Sequence, residues 1–159
     1  MKRHFVDHYR AAQARGEAKP KVIVKLGANH IFRGPSITAT YEIGSFVPEF
    51  AAAEGGRSFG ILLVVKRGTS NAYRPFGSPE SDKTKPYDLL SSAEYKVLDL
   101  RSLLAASDDS AWTFIDLRPA RRLSSNGGLK DLSAPARRLL TSFDAVVVVP
   151  EGHASVYIR

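Results

Sequence analysis

The chain has 159 residues, of which 43% are hydrophobic, enough to bury a core, and residues 1–159 read as a single domain of ordinary size. It contains no cysteine, which excludes a disulfide framework, a thiolate metal site and a cysteine nucleophile. Lys plus Arg number 23 against 16 Asp plus Glu, a net charge of +7, yet Arg10, Lys19, Lys21, Lys25, Arg57, Lys66, Lys83 and Arg121 are scattered without exposed aromatics between them, so nucleic acid is not the expected partner.

No apolar run is long enough to span a bilayer, and the first residues lack the apolar core of a signal peptide. A soluble, cytoplasmic protein without membrane contact is expected. Its partner would be a small-molecule substrate or ligand, and composition does not set the oligomeric state.

In chain order, Phe5, Tyr9 and Ala12 share one face of an amphipathic helix that Gly16 stops. Pro20 precedes Val22, Ile23, Val24 and Leu26, an apolar, β-rich run that suits a strand buried on both faces of a parallel sheet. Gly27 then allows a sharp turn, and Asn29, His30 and Arg33 place an amide, an imidazole and a guanidinium in one short loop. Residues 36–43 alternate weakly and read as extended. Ser45 is placed to cap a helix carrying Phe46, Phe50 and Ala53, with Pro48 in its first turn and Gly55 and Gly56 at its end.

Phe59 to Val65, FGILLVV, is the second strand, and its unbroken apolarity calls for cover on both faces. Residues 67–87 turn to Gly, Pro, Ser and charge, and read as a flexible loop, either a functional lid or disordered. Asp99 is placed to cap a short helix with Leu100, Leu103 and Leu104, and Asp108, Asp109 and Ser110 make a turn. Ala111 to Leu117 is a third strand, Ser133 and Pro135 start a helix through Leu139 and Leu140, and residues 144–149 form a fourth strand.

Strand and helix thus alternate, and the expected fold class is α/β, a mostly parallel or mixed sheet of about four to five strands with helices on both faces. Ligands of such sheets bind at the carboxyl ends of the strands. With all strands parallel, those ends would gather His30, Arg67, Asp116, Arg118, Glu151 and His153 on one edge. His30 has the proton affinity for general acid, general base or metal-ligand work, and its bland alternative is a loop histidine bonded to a backbone carbonyl. Asp116 would orient that imidazole or else form a salt-bridged turn with Arg118. Arg33 and Arg118 offer forked donors to a carboxylate or phosphate. Arg121, Arg122, Arg137 and Arg138 read as solvated helix faces. His4 and His8 lie one turn apart without an acidic third ligand.

Val24 to Arg33, VKLGANHIFR, resembles the strand and Asn-x-His segment of the erythromycin esterase-like family, within the Tiki, TraB and ChaN superfamily. Asn29 and His30 match, while Gly27 and Ala28 replace an earlier His. The segment Ile43-Gly44-Ser45-Phe46 is similar to that family's Gly-led helix, and Phe143 to Pro150, FDAVVVVP, resembles its closing strand. Met1 falls where the family has the Met of an Arg-Asp-x-x-Met-x-x-Asn helix, with His4 in place of the Asn.

The resemblance implies that the chain corresponds to the C-terminal portion of a longer, esterase-like domain, whose Glu- and His-bearing motif lies upstream. It implies hydrolysis of an ester or lactone by His- and Glu-activated water, little activity from this chain alone, and room for a divalent metal ion. By the same resemblance His30 is catalytic, Asn29 orients its loop, and Arg33 meets an anionic group. The alternative from another class is a non-catalytic binding module that holds an anionic small ligand at the strand ends.

Overall fold

The computed structural model describes residues 1–36, 38–71, 84–89, 97–125, 127, 130 and 132–153. The chain divides into two compact units, Met1–Gly60 and Ile61–Arg159.

In the first unit, α1 (Lys2–Ala14) and α2 (Ile43–Ala53) are joined by an irregular segment holding one 3-10 turn, Ala28–His30. The face expected for α1 is the one it buries, with Tyr9 and Ala12 the most enclosed. Phe5 and Tyr9 meet Phe46 and Phe50 of α2, with edge-to-face ring centroids 5.0–6.1 Å apart. Arg10 closes the outside with a bidentate pair to Glu54, at 2.9 and 2.7 Å.

Two expectations fail in α2. Ser45 does not cap it: the N-cap is Glu42, without a side-chain bond, and the Ser45 hydroxyl turns elsewhere. Pro48 stands beyond the first turn, inside a helix that begins at Ile43. The strand expected over Val22–Leu26 does not form either. Residues 21–27 make no backbone ladder, and Ile23 is 97% exposed. A strand exists only through hydrogen bonds to a neighbour, and β-rich composition does not supply the neighbour. Residues 36–43 likewise contribute a single bridge, Pro35 to Tyr41, rather than an extended run.

The second unit is a mixed α/β arrangement around a four-stranded sheet, among the described residues, of β1 (Ile61–Asn71), β2 (Thr84–Asp88), β3 (Thr113–Asp116) and β4 (Ala145–Gly152). The strand order is β2-β1-β4-β3. Only β1 and β4 run parallel, Ile61 opposite Ala145 and Gly68 opposite Gly152; β2 and β3 are antiparallel to their neighbours. Helices α3 (Arg101–Ala106), α4 (Arg118–Ser125) and α5 (Ala134–Ser142) complete it.

The expected 67–87 loop is in part sheet: residues 67–71 extend β1 and residues 84–88 form β2, antiparallel to them. Pro86 is tolerated because β2 lies at the sheet edge among the described residues. Residues 72–83 lie outside the described residues. β1 is also not covered on both faces. Leu62 and Val64 are buried, whereas Ile61 and Leu63 are 46% and 56% exposed, so the strand buries one face only. In β4, Ala145, Val146, Val148 and Val149 are all buried. These side chains, with Leu117, Leu139 and Phe143, form the core, the Val, Leu and Phe side chains each contributing roughly 1.5–3 kcal/mol where fully buried.

Ser133 caps α5 by accepting from the Ala136 N–H at 3.3 Å, as the sequence predicts. Asp108 accepts from the N–H groups of Ser110 and Ala111 and so closes the expected turn. Asp99 does not cap α3, whose N-cap is Leu100; it is engaged at 2.8 and 2.9 Å by the Arg101 guanidinium. Arg121 is not a solvated helix face. It binds the buried Asp144 at 2.9 Å and donates to the carbonyls of Leu140 and Phe143, locking α4 to the start of β4.

Candidate functional site

The His30 loop is held by its backbone and by the head of α2. His30 N–H donates to the Gly27 carbonyl at 3.0 Å, which closes the 3-10 turn. Two residues on, Phe32 is fully buried and anchors the loop. Gly44 sits against the Ile31 backbone so closely that a Cβ there would collide with it. Ser45 supplies the tie: its hydroxyl accepts from the Gly34 N–H at 2.9 Å and reaches the carbonyls of Gly34 and Phe32 at 2.8 and 3.3 Å.

The chain then doubles back. Ser36 N–H donates to the Thr40 carbonyl at 2.8 Å, and Ala39 adopts φ 57° within that turn. The hydroxyls of Ser36, Thr38 and Thr40 lie 2.8–3.0 Å from one another. Thr40 donates to Glu42 Oε1 at 3.1 Å, and Glu42 Oε2 stands 3.5 Å from His30 Nδ1. Thus a carboxylate from within this chain stands beside the imidazole. No sequence signal pointed to Glu42, because it meets His30 only through the turn at residues 36–40.

The electrostatics of the pair are simple. Nδ1 is closed off from solvent and faces the carboxylate without an aligned hydrogen bond; Nε2 is neither buried nor bonded. A carboxylate beside Nδ1 favours the proton on that nitrogen and leaves the Nε2 lone pair facing outward. Asn29 contributes a second unsatisfied group, a side-chain oxygen that is buried with no donor. Arg33 is half-buried in the same loop.

The remaining predicted residues, Asp116 and Arg118, belong to the second unit. His30 follows no strand. Asp116 and Arg118 pair with each other, Arg118 donating at 2.8–3.2 Å from its guanidinium and at 3.0 Å from its N–H. The Asp116 carboxyl is pulled down to about 2 by those bonds, so the salt-bridged turn is the observed role. The edge expected from all-parallel strands also divides. Because β3 is antiparallel, Asp116 lies opposite Ala145 at the start of β4, whereas Arg67 lies opposite Glu151 near its end. Among the described residues no group of three or more His, Asp or Glu side chains could hold a metal ion, and His30 with Glu42 makes only two donors.

Comparison with protein-family models, with curated proteins and with solved structures finds no match. No helix among the described residues is long and apolar enough to cross a membrane.

Proposed function

We propose that the first unit carries the water-activating part of a hydrolase site of the erythromycin esterase-like kind, acting on an ester or lactone. The single observation behind this reading is the Glu42 carboxylate 3.5 Å from His30 Nδ1, with Nε2 left open. In the proposed cycle Glu42 holds the imidazole in one tautomer, and Nε2 removes a proton from water as the oxygen attacks the substrate carbonyl. The tetrahedral intermediate collapses, the carbon–oxygen bond to the leaving alcohol breaks, and the imidazolium returns its proton to that alcohol. Asn29 orients the loop, and Arg33 supplies a cation near the developing oxyanion.

The test is turnover of a panel of activated aryl esters and lactones by this chain and by a version extended upstream. His30→Ala is expected to lower kcat/KM by about 10²–10⁴-fold and Glu42→Gln by a smaller factor. Activity indifferent to His30, or none in either version while both are folded, ends the proposal.

A further inference from the structure

The first unit holds a cavity of about 530 Å³ that does not have His30 among its walls. Its floor is formed by Phe5, Tyr9 and Phe50, with Val22, Val24 and Val47 beside them. The rings are locked edge to face, Tyr9 to Phe50 at 5.0 Å and Phe5 to Phe50 at 5.5 Å, so the floor is preformed. The volume falls within the range of about 300–1,000 Å³ typical of small-molecule sites, and the pattern of apolar walls with a few polar groups is theirs as well.

The polar groups are of one sign. Lys19, Lys21 and Arg57 line the cavity, and among the described residues no acidic side chain does. Lys19 is engaged, its Nζ donating to the Gly55 carbonyl at 3.0 Å. Lys21 and Arg57 are exposed and, among the described residues, make no ion pair or hydrogen bond through their side chains. Arg10, by contrast, is neutralised by Glu54. Two unpaired cations above an aromatic floor are the complement of a molecule with an apolar body and an anionic head.

We propose that this cavity binds a free amphipathic carboxylate, its acyl or aryl body against Phe5, Tyr9 and Phe50 and its carboxylate between Lys21 and Arg57. The site is separate from the His30 pair and does not rest on the hydrolytic reading. It also differs from the anion site expected at strand ends, since no strand contributes to it.

Calorimetric titration of the full chain with dodecanoate tests this, with dodecyltrimethylammonium as the charge-reversed control and phosphatidylglycerol vesicles as the membrane arm. Saturable 1:1 binding of dodecanoate alone is expected, with ring-proton shifts of Phe5, Tyr9 and Phe50 in NMR spectra. The double variant Lys21→Gln, Arg57→Gln, both surface changes, should bind roughly tenfold more weakly or worse. Val47→Trp should fill the cavity and block binding while the circular dichroism spectrum stays that of the parent chain. Equal binding of the cationic control, binding insensitive to the double variant, or adsorption to vesicles that dodecanoate does not displace would each overturn the assignment.

Discussion

Two valine-bearing, β-rich stretches, Lys21–Leu26 and Ala145–Pro150, meet opposite fates in this protein. KVIVKL stays irregular, with Val22 and Ile23 exposed, whereas AVVVVP is a strand held between β1 and β3. Both sequences are β-rich, so propensity does not separate them. What separates them is the presence of a ladder on each side and an anchor at the start. Asp144, immediately before β4, takes the Arg121 guanidinium and accepts from the Leu117 N–H at 2.8 Å. Before Val22 there is Pro20, which donates no backbone hydrogen bond.

The sharpest way to break the comparison is to place the same charge in both stretches. Val148→Asp buries a carboxylate with no partner in a fully enclosed position and should unfold the second unit, costing more than about 4 kcal/mol. Val24→Asp, in the unpaired stretch, should cost under about 1 kcal/mol. Urea denaturation of the two variants measures the difference, and similar losses would mean that residues 21–26 are as firmly packed as β4.

Removing the anchor comes next. Arg121→Met leaves Asp144 buried without its cation and should cost about 3–5 kcal/mol, more than Asp144→Asn, which removes the charge itself. Equal costs would show that the neutral hydrogen bonds, rather than the ion pair, hold α4 to β4. A backbone test follows in size. Gly68 has φ +135° and lies opposite Gly152, whose carbonyl a Cβ at position 68 would strike. Gly68→Ala should therefore cost about 2–3 kcal/mol in thermal melts, through strain and a locally broken β1–β4 ladder.

Amide exchange sharpens the contrast without mutation. Val146–Val149 should exchange only through global opening, and Val22–Lys25 at close to unprotected rates. The smallest effect is in acid. The Asp116 carboxyl is depressed to about 2 by Arg118, below its unfolded value of about 3.9. A depressed group stabilises the fold at pH above its unfolded value and loses that contribution as pH falls through the folded one. The Asp116 share should therefore fade between about pH 4 and 2, and be absent in Asp116→Asn. An unchanged acid midpoint in that variant would remove the pair from the stability of the β3 end.

How much of this was legible beforehand follows the range of the interactions. Helices α1 and α2 were visible because Phe5, Tyr9, Phe46 and Phe50 repeat at helical spacing, and the α5 cap because Ser133 and Pro135 act on their own next turn. The direction of β3 was not visible, since nothing within Ala111–Leu117 says which way its neighbour runs. Nor was the role of Ser45, which has the right chemistry for a cap but closer carbonyls at Phe32 and Gly34. At the candidate site, Asn29 and His30 were legible from their residue types after a glycine. Glu42, twelve residues on, was not, because it is the intervening turn that delivers it.

By itself, then, the sequence determined the local grammar: which segments coil, where glycine and proline stop them, and that an imidazole sits in a short polar loop. Those outcomes depend on contacts within about one turn of chain, which neighbouring residues specify directly. Tertiary structure alone decided that Val146–Val149 became a strand and Val22–Leu26 did not, that β3 turned antiparallel, and that Glu42 met His30. Each of these needs a partner far along the chain, and no stretch carries the identity of its distant neighbour in its own residues.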